Sequence, residues 1–269
     1  TPRNRDEQEI AGYRDVLRII HESFDAIPIT QNYILQLHKI LYSHMNNPIA
    51  GRTKTVQNYI SATYPDGHVE TLFTPLAPYE TPEALDRICE EYNRVIGNME
   101  LEPLIAIPVF IHDFLCIHPF NDGNGRMSRL LTTLLLYQNG FYVGRYISLE
   151  AKIAKNKDLY YNALARSQTG WHEGTEDAVP FIKYLLGTIL SAYKDFEDRM
   201  ALVETKLPAL EMVRRASRNK IGRFSKQDIR ELCPTISDSS IEGALRKLVA
   251  VGELEKEGKG KNTCYFRLN

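Results

Sequence analysis

The chain has 269 residues, of which 43% are hydrophobic and 25% are charged, and its formal net charge is −1. These values are typical of an ordinary soluble globular protein of one large or two smaller domains. No run of about 18 apolar residues occurs, so we predict no membrane-spanning helix. A signal peptide is not visible, although the chain begins with Thr1 rather than Met.

The cysteines are widely spaced, and no Cys-x-x-Cys pair occurs. This spacing argues against a zinc site and predicts buried thiols in a reducing cytoplasm. The four positions are Cys89, Cys116, Cys233 and Cys264.

Charge is distributed unevenly along the chain. The segment 207–269 has 13 Lys and Arg against 8 Asp and Glu, a net charge of +5, so the remainder carries −6. A break of this kind predicts a domain boundary. We therefore expect a larger domain over residues 1–203 and a small one over 207–269.

The larger domain shows mainly helical periodicity. Helices are predicted over residues 8–21, 31–42, 104–117 and 178–202. Thr30 is placed to cap the second of these, and Gly187 predicts a break in the last. Thr81 and Pro82 predict one more helix start, with Thr81 as N-cap and Pro82 at the first helical position.

Residues 55–74 interrupt this helical pattern, because they are rich in β-branched and aromatic side chains. Within them, Tyr64-Pro65-Asp66-Gly67 predicts a turn, since Pro fixes φ and Gly adopts positive φ. We therefore predict a β-hairpin inside the helical domain. The alternative is an exposed hairpin with no functional role.

Residues 118–129 read His-Pro-Phe-Asn-Asp-Gly-Asn-Gly-Arg-Met-Ser-Arg, and the apolar run 130–137 follows directly. The glycine-rich turn therefore opens a helix. Backbone N–H groups at a helix N-terminus lack internal partners, and the helix dipole favours an anion there. Gly123 and Gly125 allow the backbone to curl around a phosphate and approach it closely.

The charged side chains of this stretch favour the same chemistry. Arg126 and Arg129 are three residues apart and project from one face of the first helical turn. They oppose the helix dipole, which is reasonable if a polyanion lies between them. Asp122 is a hard oxygen ligand suited to Mg²⁺, and His118 can accept a proton from a hydroxyl. The remaining histidines are interpreted as ordinary polar groups: His21, His38, His44, His68, His112 and His172.

This stretch matches, at every defined position, His-x-Phe-x-(Asp/Glu)-Gly-Asn-Gly-Arg-x-x-Arg, the signature of the Fic family, which the chain resembles over roughly residues 8–202. The resemblance implies a mainly α, Fic-type helical domain that transfers AMP from ATP, with Mg²⁺, to a Ser, Thr or Tyr hydroxyl of a target protein or of itself. It implies that His118 activates the hydroxyl, that Phe120 anchors the loop, and that Asp122 holds Mg²⁺. The phosphate-binding set that it implies is Gly123, Asn124, Gly125, Arg126 and Arg129.

Two further segments resemble elements of the same family. The hairpin at 55–74, which follows the Gly-Arg-x-x segment 51–54, resembles a flap that holds the target chain by strand addition, with Ile60 as a candidate contact. A second segment resembles the one that surrounds the adenine, and Tyr161 is its best candidate. Its residues, at a spacing that is also typical of core packing, are Tyr160, Tyr161, Leu164 and Gln168.

The segment 207–269 shows three helical patterns and then two strand patterns on either side of the Lys- and Gly-rich stretch 257–262. It resembles a small winged helix-turn-helix domain, a fold that commonly binds DNA through its third helix and its hairpin. The predicted third helix carries few groups suited to reading bases. A protein-contact or dimer module is therefore the alternative.

Many Fic proteins carry an inhibitory helix, (Ser/Thr)-x-x-x-Glu-(Gly/Asn), whose glutamate pairs with the second signature arginine, here Arg129. By resemblance we expect this helix upstream of Thr1. The segment 169–174 fits the pattern, but Gly170 argues against a helix there. Glu242-Gly243 also fits in part, but Asp238 stands where Ser or Thr is required.

Other functions stay open on the sequence alone. The same fold could transfer UMP or a phosphoryl group, and the chain could be a DNA-binding regulator in which the helical domain senses a ligand. A homodimer is plausible, and the target protein is not identified by the sequence. No Gly-x-x-x-x-Gly-Lys-(Ser/Thr) motif occurs, so a P-loop NTPase is not supported.

Overall fold

The computed structural model describes residues 2, 4–63, 66–204, 208–220, 222–258, 260 and 263–267. The helices are α1 (Arg5–Ser23), α2 (Gln31–Leu41), α3 (Thr81–Gly97), α4 (Pro103–Ile117), α5 (Asn124–Gln138), α6 (Leu149–Lys155), α7 (Lys157–Gln168), α8 (Val179–Glu204), α9 (Ala209–Arg218), α10 (Lys226–Leu232) and α11 (Asp238–Ala250). The strands are β1 (Ile60–Thr63), β2 (Val69–Phe73), β3 (Leu254–Glu257) and β4 (Cys264–Arg267). The chain forms two compact units, residues 1–192 and 193–269, and the division between them falls within α8.

The core of the first unit is built around α4 and α5, which pack against each other, with α3 against α4 and α1 against α5. Helix α4 is buried along nearly all its length, as expected for a helix whose residues are apolar on every side. Helix α5 is buried from Met127 to Tyr137 except at Arg129. The turn between these two helices, residues 118–123, is therefore held by the best-packed part of the unit.

Two predicted helix features differ from the structure. Helix α3 has Glu80 rather than Thr81 at its N-cap, and the Thr81 hydroxyl donates a hydrogen bond to the Ala77 carbonyl at 2.9 Å. Helix α8 runs through Gly187 without a break. One glycine inside a helix costs about 1 kcal/mol, and the burial of Phe181, Leu185 and Ile189 on α8 outweighs that cost.

The predicted hairpin is present, with β1 and β2 antiparallel and Ile60 opposite Phe73. Gly67 adopts a φ of 83° as predicted for the turn, whereas Tyr64 and Pro65 lie outside the described residues. The 3-10 turn Trp171–Glu173 contacts the base of the hairpin: the His172 ring stacks on Phe73, and its Nε2 lies 2.8 Å from the Thr74 carbonyl oxygen.

The second unit consists of α9, α10 and α11 around one apolar core, followed by the antiparallel hairpin β3–β4. Ser225 caps α10 in a reciprocal arrangement with Asp228, and Ser237 caps α11. Phe224, just before α10, pairs through its backbone with Tyr265 of β4. Residues 259, 261, 262 and 268 of the predicted hairpin lie outside the described residues.

Cys89, Cys116 and Cys233 are buried as predicted, but Cys264 is not. The prediction was wrong for Cys264 because this residue lies on a two-stranded hairpin, which cannot cover both of its faces. None of the described helices combines the length and the apolar content that crossing a bilayer requires.

Candidate active site

The turn over residues 118–123, which we call the signature turn, begins where α4 ends. His118 adopts the left-handed region, with φ 52° and ψ 63°, and its amide donates to the Phe114 carbonyl oxygen at 2.9 Å. Positive φ in a residue other than glycine costs about 1–3 kcal/mol and is concentrated at functional sites. This conformation turns the chain away from α4 while the His118 ring stays against the last turn of that helix.

The His118 side chain has the arrangement of a general base. Its Nδ1 lies 3.3 Å from the Leu115 carbonyl oxygen, an acceptor, so Nδ1 carries the proton and Nε2 carries the lone pair. Burial lowers the pKa of His118 to about 4, and the positive charge of Lys54 acts in the same direction. The ring is therefore neutral near pH 7 and can accept a proton at Nε2.

Lys54, for which no role was predicted, ties the segment before the hairpin to this end of α4. It is 2% exposed, and its Nζ donates to the Ile117 carbonyl at 2.8 Å and to the Asn58 Oδ1 at 3.2 Å. Its amide donates to the Pro119 carbonyl at 2.8 Å. Burial lowers the pKa of Lys54 to about 8. An ammonium at a helix C-terminus is favoured by the helix dipole.

Asn124 holds the signature turn closed through its side chain. Its Nδ2 donates to the Phe120 carbonyl at 2.7 Å, and its Oδ1 accepts from the Phe120 amide at 2.9 Å. The Phe120 ring is fully buried and stacks on His38 at a centroid distance of 3.7 Å. The Asn124 side chain is therefore committed to the turn, and only its backbone N–H can contribute to an anion hole.

Gly123 and Gly125 of the 118–129 motif serve different purposes. Gly123 is the N-cap of α5 with φ 89°, and a Cβ there would lie 3.1 Å from the Tyr42 hydroxyl. Gly125 lies in the first turn of α5, where a Cβ would lie 3.4 Å from Nη1 of Arg129. Gly123 is thus required by its conformation, whereas Gly125 leaves space in front of the helix N-terminus.

Arg126 is surrounded by acceptors. Its Nη1 lies 3.0 Å from a carboxylate oxygen of Glu9 on α1, and its Nη2 donates to the Tyr42 hydroxyl at 2.8 Å and lies 3.3 Å from the Asp122 Oδ2. Partial burial acts to raise the pKa of Asp122. Hydrogen bonds from Tyr42 and the Gly123 amide, together with the charge of Arg126, outweigh that effect and hold the pKa below its usual value.

Arg129 also has a carboxylate partner inside this unit. Its Nε donates to the Glu150 Oε1 at 3.1 Å, and Glu150 lies in the first turn of α6. Tyr13 of α1 lies beside this pair, and burial, followed by the charge of Glu150, raises the pKa of its hydroxyl. Glu150 was missed because no (Ser/Thr)-x-x-x-Glu pattern marks it: residue 146 is Tyr. The inhibitory helix expected upstream of Thr1 is a separate prediction.

The segment predicted to surround the adenine divides into two faces of α7. Tyr161 is 57% exposed, whereas Tyr160, Leu164 and Gln168 are buried. Tyr160 packs edge-on against Phe181 of α8. The buried three therefore belong to the packing of α7, and Tyr161 is the member that is open to a ligand.

Two other predicted segments have the following structure. Ile60, the candidate contact on the hairpin, is partly exposed on β1. The segment 169–174, which fits the inhibitory pattern, contains a 3-10 turn rather than an α-helix.

Asp122 is the candidate metal ligand of the turn, and its side chain is 49% exposed. Among the described residues, no three His, Cys, Asp or Glu side chains lie close enough together to hold a metal ion. Mg²⁺ is usually held by one or two carboxylates together with substrate phosphates and water. Asp122 fits that arrangement and does not fit a site made of protein ligands alone.

Comparison with known proteins identifies similar sequences. The Fic/DOC family model matches residues 28–136. Protein adenylyltransferase fic-1 of Caenorhabditis elegans is 29% identical over 142 residues, which cover 51% of this chain and 25% of that protein. A Fido domain-containing protein of Dictyostelium discoideum is 28% identical over 137 residues, which cover 49% of this chain and 91% of that protein. The chain thus spans about a quarter of the length of its adenylyltransferase relative from Caenorhabditis elegans.

A solved structure supports the fold. The structure of a Fic family protein from Desulfovibrio desulfuricans G20 has a TM-score of 0.57 and 20% sequence identity, and the match covers 100% of this chain and 77% of that chain. At this identity the likeness concerns the fold alone. It confirms the predicted mainly α, Fic-type fold.

Proposed function

Because the chain carries a Fic/DOC family domain at residues 28–136, we propose that it is a protein adenylyltransferase that uses ATP and Mg²⁺. The observation that carries this proposal is the signature turn, in which His118, neutral and with Nε2 as acceptor, is followed by Asp122 and by the N-terminus of α5 with Arg126 and Arg129. The adenylyltransferase relatives from Caenorhabditis elegans and Nematostella vectensis are similar over 51% and 67% of this chain.

In the proposed reaction, a Ser, Thr or Tyr hydroxyl of the target attacks the α-phosphorus of ATP. Its proton passes to Nε2 of His118, a bond forms between the hydroxyl oxygen and phosphorus, and the bond to the bridging oxygen breaks, so that pyrophosphate leaves. The amides at the start of α5, together with Arg126 and Arg129, would hold the phosphates and neutralise their charge. Positioning and charge neutralisation supply most of the barrier reduction in such transfers.

Asp122 is the residue that would hold Mg²⁺, which when bound supplies positive charge to the α- and β-phosphates. Its carboxylate stays ionised because its pKa is held below the usual value by Tyr42, Gly123 and Arg126, which outweigh the effect of burial. Tyr161 and Ile60 are the exposed or partly exposed candidates for contacts with the adenine and with the target.

The proposal is tested by incubating the chain with Mg²⁺ and either α-³²P-ATP or γ-³²P-ATP and following label on protein. Label from the α-phosphate alone supports AMP transfer, to the chain itself if no other protein is present. Label from γ-³²P-ATP would replace AMP transfer by phosphoryl transfer, and label only from α-³²P-UTP would replace it by UMP transfer. No label with any nucleotide, in the presence of a cell extract as a source of targets, would contradict a transferase.

We expect the rate of AMP transfer to change little between pH 8 and about pH 5.5 and to fall as the pH approaches 4. The base must be neutral to accept a proton, and burial lowers the pKa of His118 to about 4, so that protonation begins only in this acidic range. The measurement is the initial labelling rate under saturating ATP from pH 4.5 to 8. A rate that falls with a midpoint near 6.5, the value of an unperturbed histidine, would contradict this assignment.

Replacing Glu150 by Gln is expected to tighten ATP binding roughly threefold to fivefold, because a partly exposed ion pair contributes up to about 1 kcal/mol and its loss frees Arg129 for phosphate. Isothermal titration of Mg·ATP measures the effect. Glu83→Gln is the matched control, since Glu83 also lies in the first turn of a helix, on α3. Equal affinities for Glu150→Gln and the control would show that Glu150 does not compete for Arg129.

For residues 207–269 we propose a winged helix that contacts nucleic acid phosphates. The backbone pairing of Phe224 with Tyr265 supports this topology, since it adds a short third strand position to the hairpin β3–β4. Between α10, α11 and this hairpin lies a groove of about 780 Å³ lined in part by Lys226, Arg246 and Lys256. Glu242, the ion-pair partner of Lys226, also lines the groove, so Arg246 and Lys256 are the cations that favour contact with a polyanion.

Base reading by α11 has less support. Lys226 of α10 pairs with Glu242 of α11 at 2.7 Å, and Arg230 of α10 pairs with Asp238 at 2.7 Å. Fluorescence anisotropy with a labelled DNA duplex tests the proposal. Binding that weakens with salt and is reduced in Arg246→Ala supports it. Absence of binding at low salt would favour a protein-contact module.

A further inference from the structure

His38 lies on the buried side of α2 and uses both of its ring nitrogens. It is 0% exposed, and its ring lies parallel to that of Phe120 at a centroid distance of 3.7 Å. Its Nδ1 lies 3.0 Å from the Gly51 amide nitrogen, and its Nε2 lies 3.0 Å from the Asp122 carbonyl oxygen. A single side chain thus joins the segment before the hairpin to the signature turn.

These two partners fix the form of the ring. A backbone amide can only donate, so the Gly51 N–H requires a lone pair on Nδ1. A carbonyl can only accept, so the Asp122 oxygen requires a hydrogen on Nε2. The ring is therefore the neutral tautomer with its proton on Nε2. An apolar side chain at position 38 would leave both backbone groups without this partner in a buried place, at a substantial cost.

The two backbone groups that His38 joins lie beside the candidate metal ligand and beside tightly packed glycines. Asp122 is the candidate Mg²⁺ ligand, and its Oδ1 accepts from the Gly123 amide at 2.7 Å. A Cβ at Gly123 would lie 3.4 Å from the His38 Nε2, and a Cβ at Gly51 would lie 2.9 Å from the Lys39 Cβ. Both glycines are therefore pressed against neighbouring positions of α2.

The segment after Gly51 holds the other end of the signature turn. Lys54 bonds to the Ile117 carbonyl through its ammonium and to the Pro119 carbonyl through its amide. The turn is consequently held at its start by Lys54 and at its end by His38 and Gly51. Loss of the His38 contacts would release the Asp122 end alone.

We propose that His38 is a positioning residue that holds the Asp122 carbonyl to the Gly51 amide and thereby keeps Asp122 and Gly123 in the geometry that receives the nucleotide phosphates. His38 touches no substrate and acts through the turn. The inference rests on the proposed function only in taking ATP as the ligand of this turn.

The test compares His38→Phe, which keeps a ring against Phe120 but loses both hydrogen bonds, with His38→Gln, whose amide offers one acceptor and one donor. Mg·ATP affinity is measured by calorimetry in the His118→Ala background, where we expect turnover to be too slow to consume the nucleotide during the titration, and below the thermal transition of each variant. We expect His38→Phe to weaken Mg·ATP binding about tenfold, which corresponds to the free energy that about one hydrogen bond contributes. His38→Gln should restore most of that loss.

Two further readouts and a control variant separate positioning from a purely structural role. Hydrogen exchange at the Gly51 amide should accelerate in His38→Phe and stay slow in His38→Gln. The ¹⁵N spectrum of the wild-type ring should show the proton on Nε2. His21→Phe, which removes another half-buried ring that bonds to the Tyr137 hydroxyl, is the matched control and should lower thermal stability without changing ATP affinity.

A folded His38→Phe with wild-type ATP affinity overturns the inference, as does a wild-type ring with its proton on Nδ1. If His38→Phe does not fold, His38→Gln and the ¹⁵N spectrum decide the question. ATP that binds in a His38-dependent way without being used for transfer overturns the proposed function and leaves the inference standing. ATP that does not bind to the wild-type chain overturns both.

Discussion

Replacing His118 by alanine is expected to lower the rate of AMP transfer by about 10²–10⁴-fold, the usual contribution of a positioned general base, while ATP binding is retained. The imidazole lies against the end of α4 with Nδ1 directed to Leu115, so it contributes no hydrogen bond that closes the signature turn. The measurement is the initial rate of protein labelling by α-³²P-ATP, with Mg·ATP affinity determined in parallel by calorimetry.

His44→Ala provides the control for His118→Ala. His44 is a half-buried histidine that pairs with Asp15 on α1 and makes no recorded contact with the signature turn. Its loss should leave the labelling rate within about twofold of the wild-type rate, since losing a partly exposed pair costs little. If His118→Ala keeps the wild-type rate, another group must accept the proton. If neither the wild-type chain nor His118→Ala labels protein, a regulator whose activity resides in residues 207–269 is the better interpretation, and His118→Ala would leave its DNA binding unchanged.

Replacing Asn124 by alanine is expected to lower the free energy of unfolding of the first unit by about 2 kcal/mol and to weaken ATP binding strongly. The change removes both side-chain bonds to the Phe120 backbone and leaves the buried Phe120 amide without its acceptor. The Phe120 carbonyl keeps one bond, from the Asn58 Nδ2 at 2.9 Å. The signature turn would then lose its closed form even where the unit stays folded.

Urea unfolding followed by tryptophan fluorescence measures the stability of Asn124→Ala, because the chain has a single tryptophan, Trp171, and it belongs to the first unit. Asn98→Ala is the control, since the exposed Asn98 amide bonds only to Glu100 among the contacts described. A surface change of this type should shift stability by less than about 0.5 kcal/mol. Equal shifts for both variants would show that the Asn124 amide does not hold the turn.

The extent of successful prediction follows from how far apart the interacting residues lie in the sequence. The helices predicted over residues 8–21, 31–42 and 104–117 were predictable because their apolar periodicity is local. The signature motif was recognisable because all its defined residues fall within 118–129. The end residues of helices were harder to predict than the helices themselves. In α3 the N-cap is Glu80 rather than Thr81, because either of two adjacent residues can take the N-cap position.

The residues that hold the site in place could not be predicted, because their partners are distant in sequence. His38 and Asp122 are 84 positions apart, Lys54 and Ile117 are 63 apart, and Arg129 and Glu150 are 21 apart. No local pattern distinguishes His38 from the other histidines of the chain. The burial of Tyr160 and Gln168 was likewise undetermined, since one face of α7 must pack on the core and the sequence offered aromatic residues on both faces.

The carboxylates of Glu9 and Glu150 make nucleotide binding at this site an exchange of one anion for another. Each signature arginine already has an anionic partner, Glu9 for Arg126 and Glu150 for Arg129. An incoming triphosphate would therefore replace one set of anions by another instead of neutralising bare cations. The long-range attraction that speeds the encounter of charged ligands with an open cationic pocket is correspondingly small here. Nucleotide capture by this chain should therefore depend on close-range fit to the signature turn, with a shallow dependence of the association rate on ionic strength.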